Sequence, residues 1–261
     1  TTSSPTWLDR ALAAAGRPPV AARFGVRHLA ITAAFLTFYV ALDVVSFVQP
    51  FGGFSITPWN PQAGLGLALV LLLGRGYLPA LVVAPLAADA AVRGCPAGLL
   101  SVPLALAVGA GHGALAFVLT SPRVDFDRRL LRTRDLFVLI AGAALVSAVV
   151  AAVYVTVLAA AGLIARSDIT EAAGRLWVGD MIGIAITTPF LLTIAARTRA
   201  AYLDMETALQ VAAILTSTAV VATLLPLTEN EIFHLLFLPV VWVAVRHGLD
   251  GAAAALMLVQ C

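Results

Sequence analysis

LFVLIAGAALVSAVVAAVYVTVLAAAGLIA, residues 136–165, is a run without a single charged side chain. A helix rises about 1.5 Å per residue, so a helix over this run is longer than the ~30 Å hydrocarbon core of a bilayer. A soluble domain could not hide that much apolar surface from water. The run therefore predicts a helix that crosses a membrane.

Composition extends this interpretation to the whole chain. Its 261 residues are 61% hydrophobic and only 11% charged, and the mean hydropathy is +0.98. Such values are typical of a protein whose solvent is lipid. We predict an all-α, polytopic transmembrane bundle of about eight to nine spans, several of them short or tilted: 28–48, 62–74, 77–92, 97–119, 136–165, 176–196, 207–226, 231–245 and 249–261.

The arginines predict how the spans are oriented. All of them except Arg93, Arg166 and Arg175 fall in the tail 1–27 or in alternate loops, most densely in the loop 120–135. The positive-inside rule then places the tail and this loop in the cytoplasm. No basic patch suits a nucleic acid. With an inside start the ninth span points outward, so we expect a further returning helix and an output domain beyond residue 261.

Polar side chains within the spans predict a binding site. When depth is counted from the outer ends of the spans, polar side chains of several helices lie within roughly 10 Å of the outer face. They are Asp43, Trp59, Asn60, Gln62, Asp89, Trp177, Asp180 and His234. Polar groups from separate helices at one depth indicate an outward-facing ligand pocket. Alternatively, the tryptophans form an interfacial belt, Asn60 caps a helix, and Asp89 makes an ordinary surface pair with Arg93.

Two residues are the sharpest candidates. Asp180 lies in WVGDMIGIAITTP, where Gly179 and Gly183 allow a close backbone approach and no basic residue lies within a helical turn. His112, in GAGHGA, is the only deep ionisable group, roughly 10 Å from the cytoplasmic end of its span. It is either a packing histidine bonded to a neighbouring helix, or a proton sensor or ligand contact.

Cofactors and catalytic sites find little support in the sequence. The chain has no Lys, which excludes a retinal Schiff base. Haem on two axial histidines is not expected, because His112 and His234 differ by roughly 18 Å in depth. We find no metal-binding or soluble-enzyme motif and predict no catalytic residue. Cys95 and Cys261 fall on the same side of the membrane, so a disulfide is allowed, although isolated cysteines are more often unpaired.

Three ordered motifs resemble the bacterial membrane-associated sensor domain of the first type, the MASE-one family. The run 57–90 carries the first, at Trp59, Pro61, Gly64, Gly74, Arg75, Tyr77 and Pro79. The run 175–192 carries the second, at Trp177, Gly179, Asp180, Gly183 and Pro189. The run 236–256 carries the third, at Pro239, Trp242, Arg246 and Gly248. The family often has Asn at the positions of Asp89 and His112, so the ligand preference here could differ.

The resemblance implies that residues 28–261 are a sensory input domain in the inner (plasma) membrane of a bacterium, and not themselves an enzyme. In the intact protein such a domain precedes a histidine kinase, a diguanylate cyclase or a phosphatase, and the output domain generally forms a homodimer. The stimulus would be an unknown small molecule or a membrane partner. A small-solute transporter, or a substrate-capturing subunit of one, is the alternative function. A third is a sensor of another membrane protein through lipid-facing helices, without a ligand.

Overall fold

The computed structural model of the chain describes residues 25–47, 50–51 and 53–196, and further along only 216, 243, 251–253 and 255–257. Over these residues all regular structure is helical and no strand is present. The all-α prediction is therefore confirmed. The chain divides into two compact units, Thr1–Thr188 and Pro189–Cys261. Nearly all of the described residues belong to the first unit.

Six α-helices follow one another in the described part of the chain. They are α1 Val26–Ser46, α2 Pro61–Leu73, α3 Ala80–Ala88, α4 Ser101–Leu119, α5 Thr133–Ala160 and α6 Ile169–Ala196. Short 3-10 turns precede α3, α4 and α6, and a π-helical turn over Asp89–Arg93 continues α3. Together with these turns, five helices are long and apolar enough to cross a membrane; α2 is apolar but shorter.

The predicted spans from 28 to 196 agree with these helices in order and position. Two boundaries differ by five residues or more. Helix α5 ends at Ala160, five residues early, since Gly162 has a φ of +73° and turns the chain. Helix α6 begins at Ile169 and not at 176, because its polar first turns carry an ion pair between Glu171 and Arg175 on one face. The predicted spans after 196 lie largely outside the described residues, so a total of eight to nine stays a prediction.

The helices pack as a bundle with α4 in a central position. It contacts α3, α5 and α2, while α1 packs against α2 and α3. Large apolar side chains such as Phe38, Phe117 and Leu145 remain exposed on the outer surface of the bundle. Exposed side chains of this kind suit a surface covered by lipid tails rather than by water.

Contacts at one end of the bundle support the predicted topology. The guanidinium of Arg75 donates to Thr120 Oγ1 at 2.9 Å and to the carbonyl of Phe117 at 3.2 Å, and it lies 4.1 Å from the Phe117 ring centroid. The rings of His28 and Tyr77 stack with centroids 4.1 Å apart. The start of α1, the turn before α3 and the loop after α4 therefore lie at the same end, as alternating arginine-rich loops require.

Candidate functional site

The loop before α2 lies directly against α6. The backbone N–H of Asn60 donates to the carbonyl of Gly179 at 3.1 Å. A Cβ atom on Gly179 would overlap the carbonyl of Thr57, and one on Gly183 would overlap the carbonyl of Asn60. Only glycine leaves room for the loop at these two positions. The close backbone approach predicted at Gly179 and Gly183 is therefore present.

The same glycine-lined surface holds the start of α2. A Cβ atom on Gly64 would overlap the carbonyl of Gly183 and lie 2.7 Å from Thr187 Cβ. The hydroxyl of Thr188 donates to the carbonyl of Gly64 at 3.0 Å. Small residues let two helix backbones approach closely, and a side chain to backbone hydrogen bond then joins them. Helices α2 and α6 are thus fixed relative to each other where the polar residues lie.

Asn60 links the loop to Asp180. Its Nδ2 donates to Asp180 Oδ1 at 2.8 Å, and its Oδ1 accepts from Thr57 Oγ1 at 2.5 Å. The Asn60 and Asp180 residues are 3% and 4% exposed. Asn60 therefore does not act as a solvated helix cap; it is a buried hydrogen-bonding partner of the aspartate.

A second set of polar groups surrounds Arg93. Its Nη1 pairs with Asp43 Oδ2, and its Nε pairs with Asp89 Oδ1 at 2.9 Å. Gln62 Nε2 donates to the other oxygen of Asp43 at 3.1 Å, and the Ser101 hydroxyl donates to the other oxygen of Asp89. The network joins α1, α2, the π-helical turn after α3 and the start of α4.

The interpretation of Asp89 and Arg93 as a surface pair is wrong. The Arg93 side chain is 3% exposed and that of Asp89 is 13% exposed. The end of α1 covers the pair, because Asp43 approaches Arg93 from that helix. The π-helical turn that contains both residues is a local widening of the helix, a feature often found at functional sites.

His112 lies beside Asp180. The distance between His112 Nε2 and Asp180 Oδ2 is 3.4 Å, and both side chains are almost fully buried. Among the residues that the structure describes, neither atom has a hydrogen-bond partner. The expectation that His112 lies at a different depth from Asp180 is wrong. Because α6 begins early, at Ile169, each residue lies about 16 Å from the start of its own helix.

These polar groups enclose one cavity of about 40 Å³. At roughly 10–15 Å³ per water, it has room for about three water molecules. Its polar lining consists of Tyr39, Asp43, Ser55, Asn60, Gln62, Asp89, Arg93, Ser101, His112, Tyr154 and Asp180. The sequence-predicted residues Asn60, Gln62, Asp89, His112 and Asp180 are thus brought together. The site suits a ligand of a few atoms rather than one of drug size.

The two predicted tryptophans are not part of the lining of this cavity. Trp177 is 40% exposed, and its Nε1 donates to the carbonyl of Ala144 at 2.9 Å, which joins α6 to α5. Trp59 lies in the loop before α2. The aromatic walls are instead Tyr39 from α1 and Tyr154 from α5.

Sequence reasoning missed Arg93, Ser101 and the two tyrosines as site residues. A buried arginine was signalled only by its spacing from Asp89 in a chain with few charges, and the same spacing is common on helix surfaces. In the described part of the chain no group of three or more His, Cys, Asp or Glu could hold a metal ion. Six residues that the sequence singled out lie outside the described residues: His234, Pro239, Trp242, Arg246, Gly248 and Cys261. A pairing of Cys95 with Cys261 is therefore untested.

Comparison with known proteins gives one match. The model of the MASE1 family, the MASE-one family of the sequence motifs, matches residues 54–260. That range includes every polar residue of the cavity except Tyr39 and Asp43, which α1 contributes. No curated protein and no solved structure matches the chain.

Proposed function

Since the chain belongs to the MASE1 family of membrane sensor domains, we propose that it is the sensory input domain of a bacterial signalling receptor. It lies in the inner membrane with its N-terminus in the cytoplasm. A stimulus at the polar cavity beside Asp180 changes the packing of the helices. The change passes to a cytoplasmic output domain, which is a histidine kinase, a diguanylate cyclase or a phosphatase and acts as a homodimer.

The observation that carries this proposal is the unpaired contact between His112 and Asp180 at the cavity. Ionisable groups buried among apolar helices are expensive and are usually retained for function. Here the carboxylate oxygen and the imidazole nitrogen that face each other lack hydrogen-bond partners among the described residues. A ligand that satisfies them would bind one arrangement of the helices better than another, which is the requirement for a signal.

The hydrogen-bond network gives such a ligand a route to the bundle. Asp180 on α6 is bonded to Asn60 before α2, and Gln62 on α2 is bonded to Asp43 on α1. Asp43 in turn shares Arg93 with Asp89. A change at Asp180 therefore reaches the ends of several helices through direct contacts, and packed helices respond by small shifts between discrete arrangements.

Transport of a solute has less support. A carrier needs a site large enough for its substrate and open to each side of the membrane in turn. In this arrangement of the helices, the cavity of about 40 Å³ is small for a carried metabolite. Uptake of a solute by vesicles that contain the purified protein would reverse this preference.

The test is the output of the intact receptor in cells. Asp180→Asn should change the basal output activity at least threefold, because it removes a charge from the centre of the network. Asp125→Asn is the matched control, since Asp125 is 77% exposed and pairs only with the exposed Arg132. Equal receptor levels in the membrane fraction are verified by immunoblot. Unchanged output of the Asp180 variant would count against the proposal.

A further inference from the structure

The cavity carries an excess of negative charge. Asp43, Asp89 and Asp180 contribute three carboxylates to its lining, whereas Arg93 is the one guanidinium. The carboxylates of the lining thus outnumber its guanidinium by two. A buried charge without a partner is strongly unfavourable, and more so between helices in a membrane. The cavity therefore favours an occupant that brings positive charge.

One carboxylate oxygen is left open to such an occupant. Both oxygens of Asp43 and both of Asp89 accept hydrogen bonds, and so does Asp180 Oδ1. Asp180 Oδ2 accepts none from the described residues, although Asp180 is only 4% exposed. His112 Nε2, 3.4 Å away, is equally unpartnered within that part of the chain and lines the same cavity.

We propose that this cavity binds a small ammonium-type cation, either ammonium itself or a primary amine of one or two carbons. One N–H group donates to Asp180 Oδ2, and a second donates to the lone pair of His112 Nε2. Tyr39 and Tyr154 also line the cavity, and aromatic side chains attract cations. This assignment rests on the proposed sensory function, because the ligand occupies the site of that function. It specifies the chemical class of the stimulus.

The size of the cavity and its two open hydrogen-bond acceptors favour an ammonium-type ligand over other cations. Room for about three waters accommodates ammonium or methylammonium but not a polyamine. Sodium and potassium are hard cations that prefer oxygen ligands, whereas one of the two open acceptors here is an imidazole nitrogen. An ammonium group offers several N–H donors around one positive charge and so suits both acceptors.

A proton is the competing occupant. It would convert His112 into an imidazolium that donates to Asp180, with Asp43, Asp89, Arg93 and the two tyrosines as the other ionisable groups around the cavity. A charge-assisted bond of that kind is usually about 2.7–2.9 Å long. The observed separation of 3.4 Å is longer, and the cavity beside it leaves space for a donor that bridges the two atoms.

Direct binding tests the proposal. The full chain is purified in lipid nanodiscs at constant pH and ionic strength, and radiolabelled methylammonium is added in equilibrium dialysis. We expect saturable binding of one equivalent per chain, with competition by ammonium. Sodium, potassium and tetramethylammonium at the same concentration should not compete. Tetramethylammonium is the matched control ligand, because it has the same charge but no N–H donor.

Two variants locate the binding. Asp180→Asn should weaken methylammonium binding at least tenfold, whereas Asp125→Asn on the exposed loop should not change it. Ala105→Leu fills the cavity with an apolar side chain and leaves every polar group in place, so it should also weaken binding at least tenfold. If Asp180→Asn fails to fold, methylammonium binding by Ala105→Leu tests the proposal. Methylammonium should raise the midpoint of thermal unfolding of the parent and of Asp125→Asn but not of the two cavity variants, since a ligand stabilises the state that binds it.

Several outcomes would overturn the ligand class. They are an absence of saturable methylammonium binding, equal competition by sodium or tetramethylammonium, or parent-like binding in both cavity variants. A response of the receptor output to pH without any amine binding would assign the site to a proton instead. Failure of the sensory function is distinguishable: the amine would then bind as described, while neither the amine nor Asp180→Asn would change the receptor output.

Discussion

His112 Nε2 and Asp180 Oδ2 lie 3.4 Å apart and face each other between α4 and α6, near the middle of both helices. Gly109, three residues before the histidine, lets α4 approach α3 so closely that a Cβ atom there would lie 2.7 Å from the carbonyl of Leu81. The histidine is thus held by backbone packing rather than by a flexible contact. The position of the histidine backbone is therefore set by the packing of α4 on α3.

Replacement of Arg93 should destabilise the bundle strongly. Arg93→Met leaves the carboxylates of Asp43 and Asp89 buried without their cation, and removal of one partner from a buried pair costs about 3–5 kcal/mol. Arg132→Met is the matched control, because the Arg132 side chain is 56% exposed in its pair with Asp125 and its replacement should have little effect on stability. Denaturant unfolding in detergent micelles measures both. Equal effects of the two changes would show that burial of Arg93 does not matter for stability.

Close packing at Gly183 is a second prediction about stability. Gly183→Ala places a methyl group onto the carbonyl of Asn60 and should destabilise the protein by about 2 kcal/mol, within the range for overpacked sites. Gly174→Ala, in the same helix, meets no atom within 4 Å and should be neutral or slightly stabilising, since alanine favours a helix over glycine. Thermal unfolding of the two variants gives the comparison. A neutral result at Gly183 would contradict the close approach of the loop to α6.

Asn60 and Asp180 should be energetically coupled. Asn60→Ala removes the donor to Asp180 Oδ1, and an unsatisfied buried acceptor costs about 1–3 kcal/mol. The double variant Asn60→Ala with Asp180→Asn should lose less stability than the sum of the single changes, because they remove the same contact. A double-mutant cycle on the free energy of unfolding measures the coupling. Strict additivity would indicate that the two side chains do not interact.

Helix positions and much of the site were predictable, since they depend on patterns local in the sequence. Long apolar runs located the six described helices, and scarce polar residues pointed to Asn60, Gln62 and Asp180. The burial of Arg93 was not predictable, because spacing along one helix does not reveal that α1 covers it. The predicted depth of Asp180 was wrong for a related reason. The polar first turns of α6 resemble a loop in sequence, so the helix was expected to begin late.

Sided chemical labelling should confirm the orientation of the chain. In a background with Cys95→Ser and Cys261→Ser, Asp125→Cys is placed in the loop after α4 and Ser167→Cys in the turn before α6; both positions are exposed. An impermeant thiol reagent added to intact cells should label Ser167→Cys and leave Asp125→Cys unlabelled until the membrane is opened. The reason is that arginine-rich loops stay in the cytoplasm. The opposite pattern would invert the topology and would place the start of α4, with Ser101 and its bond to Asp89, toward the cytoplasm.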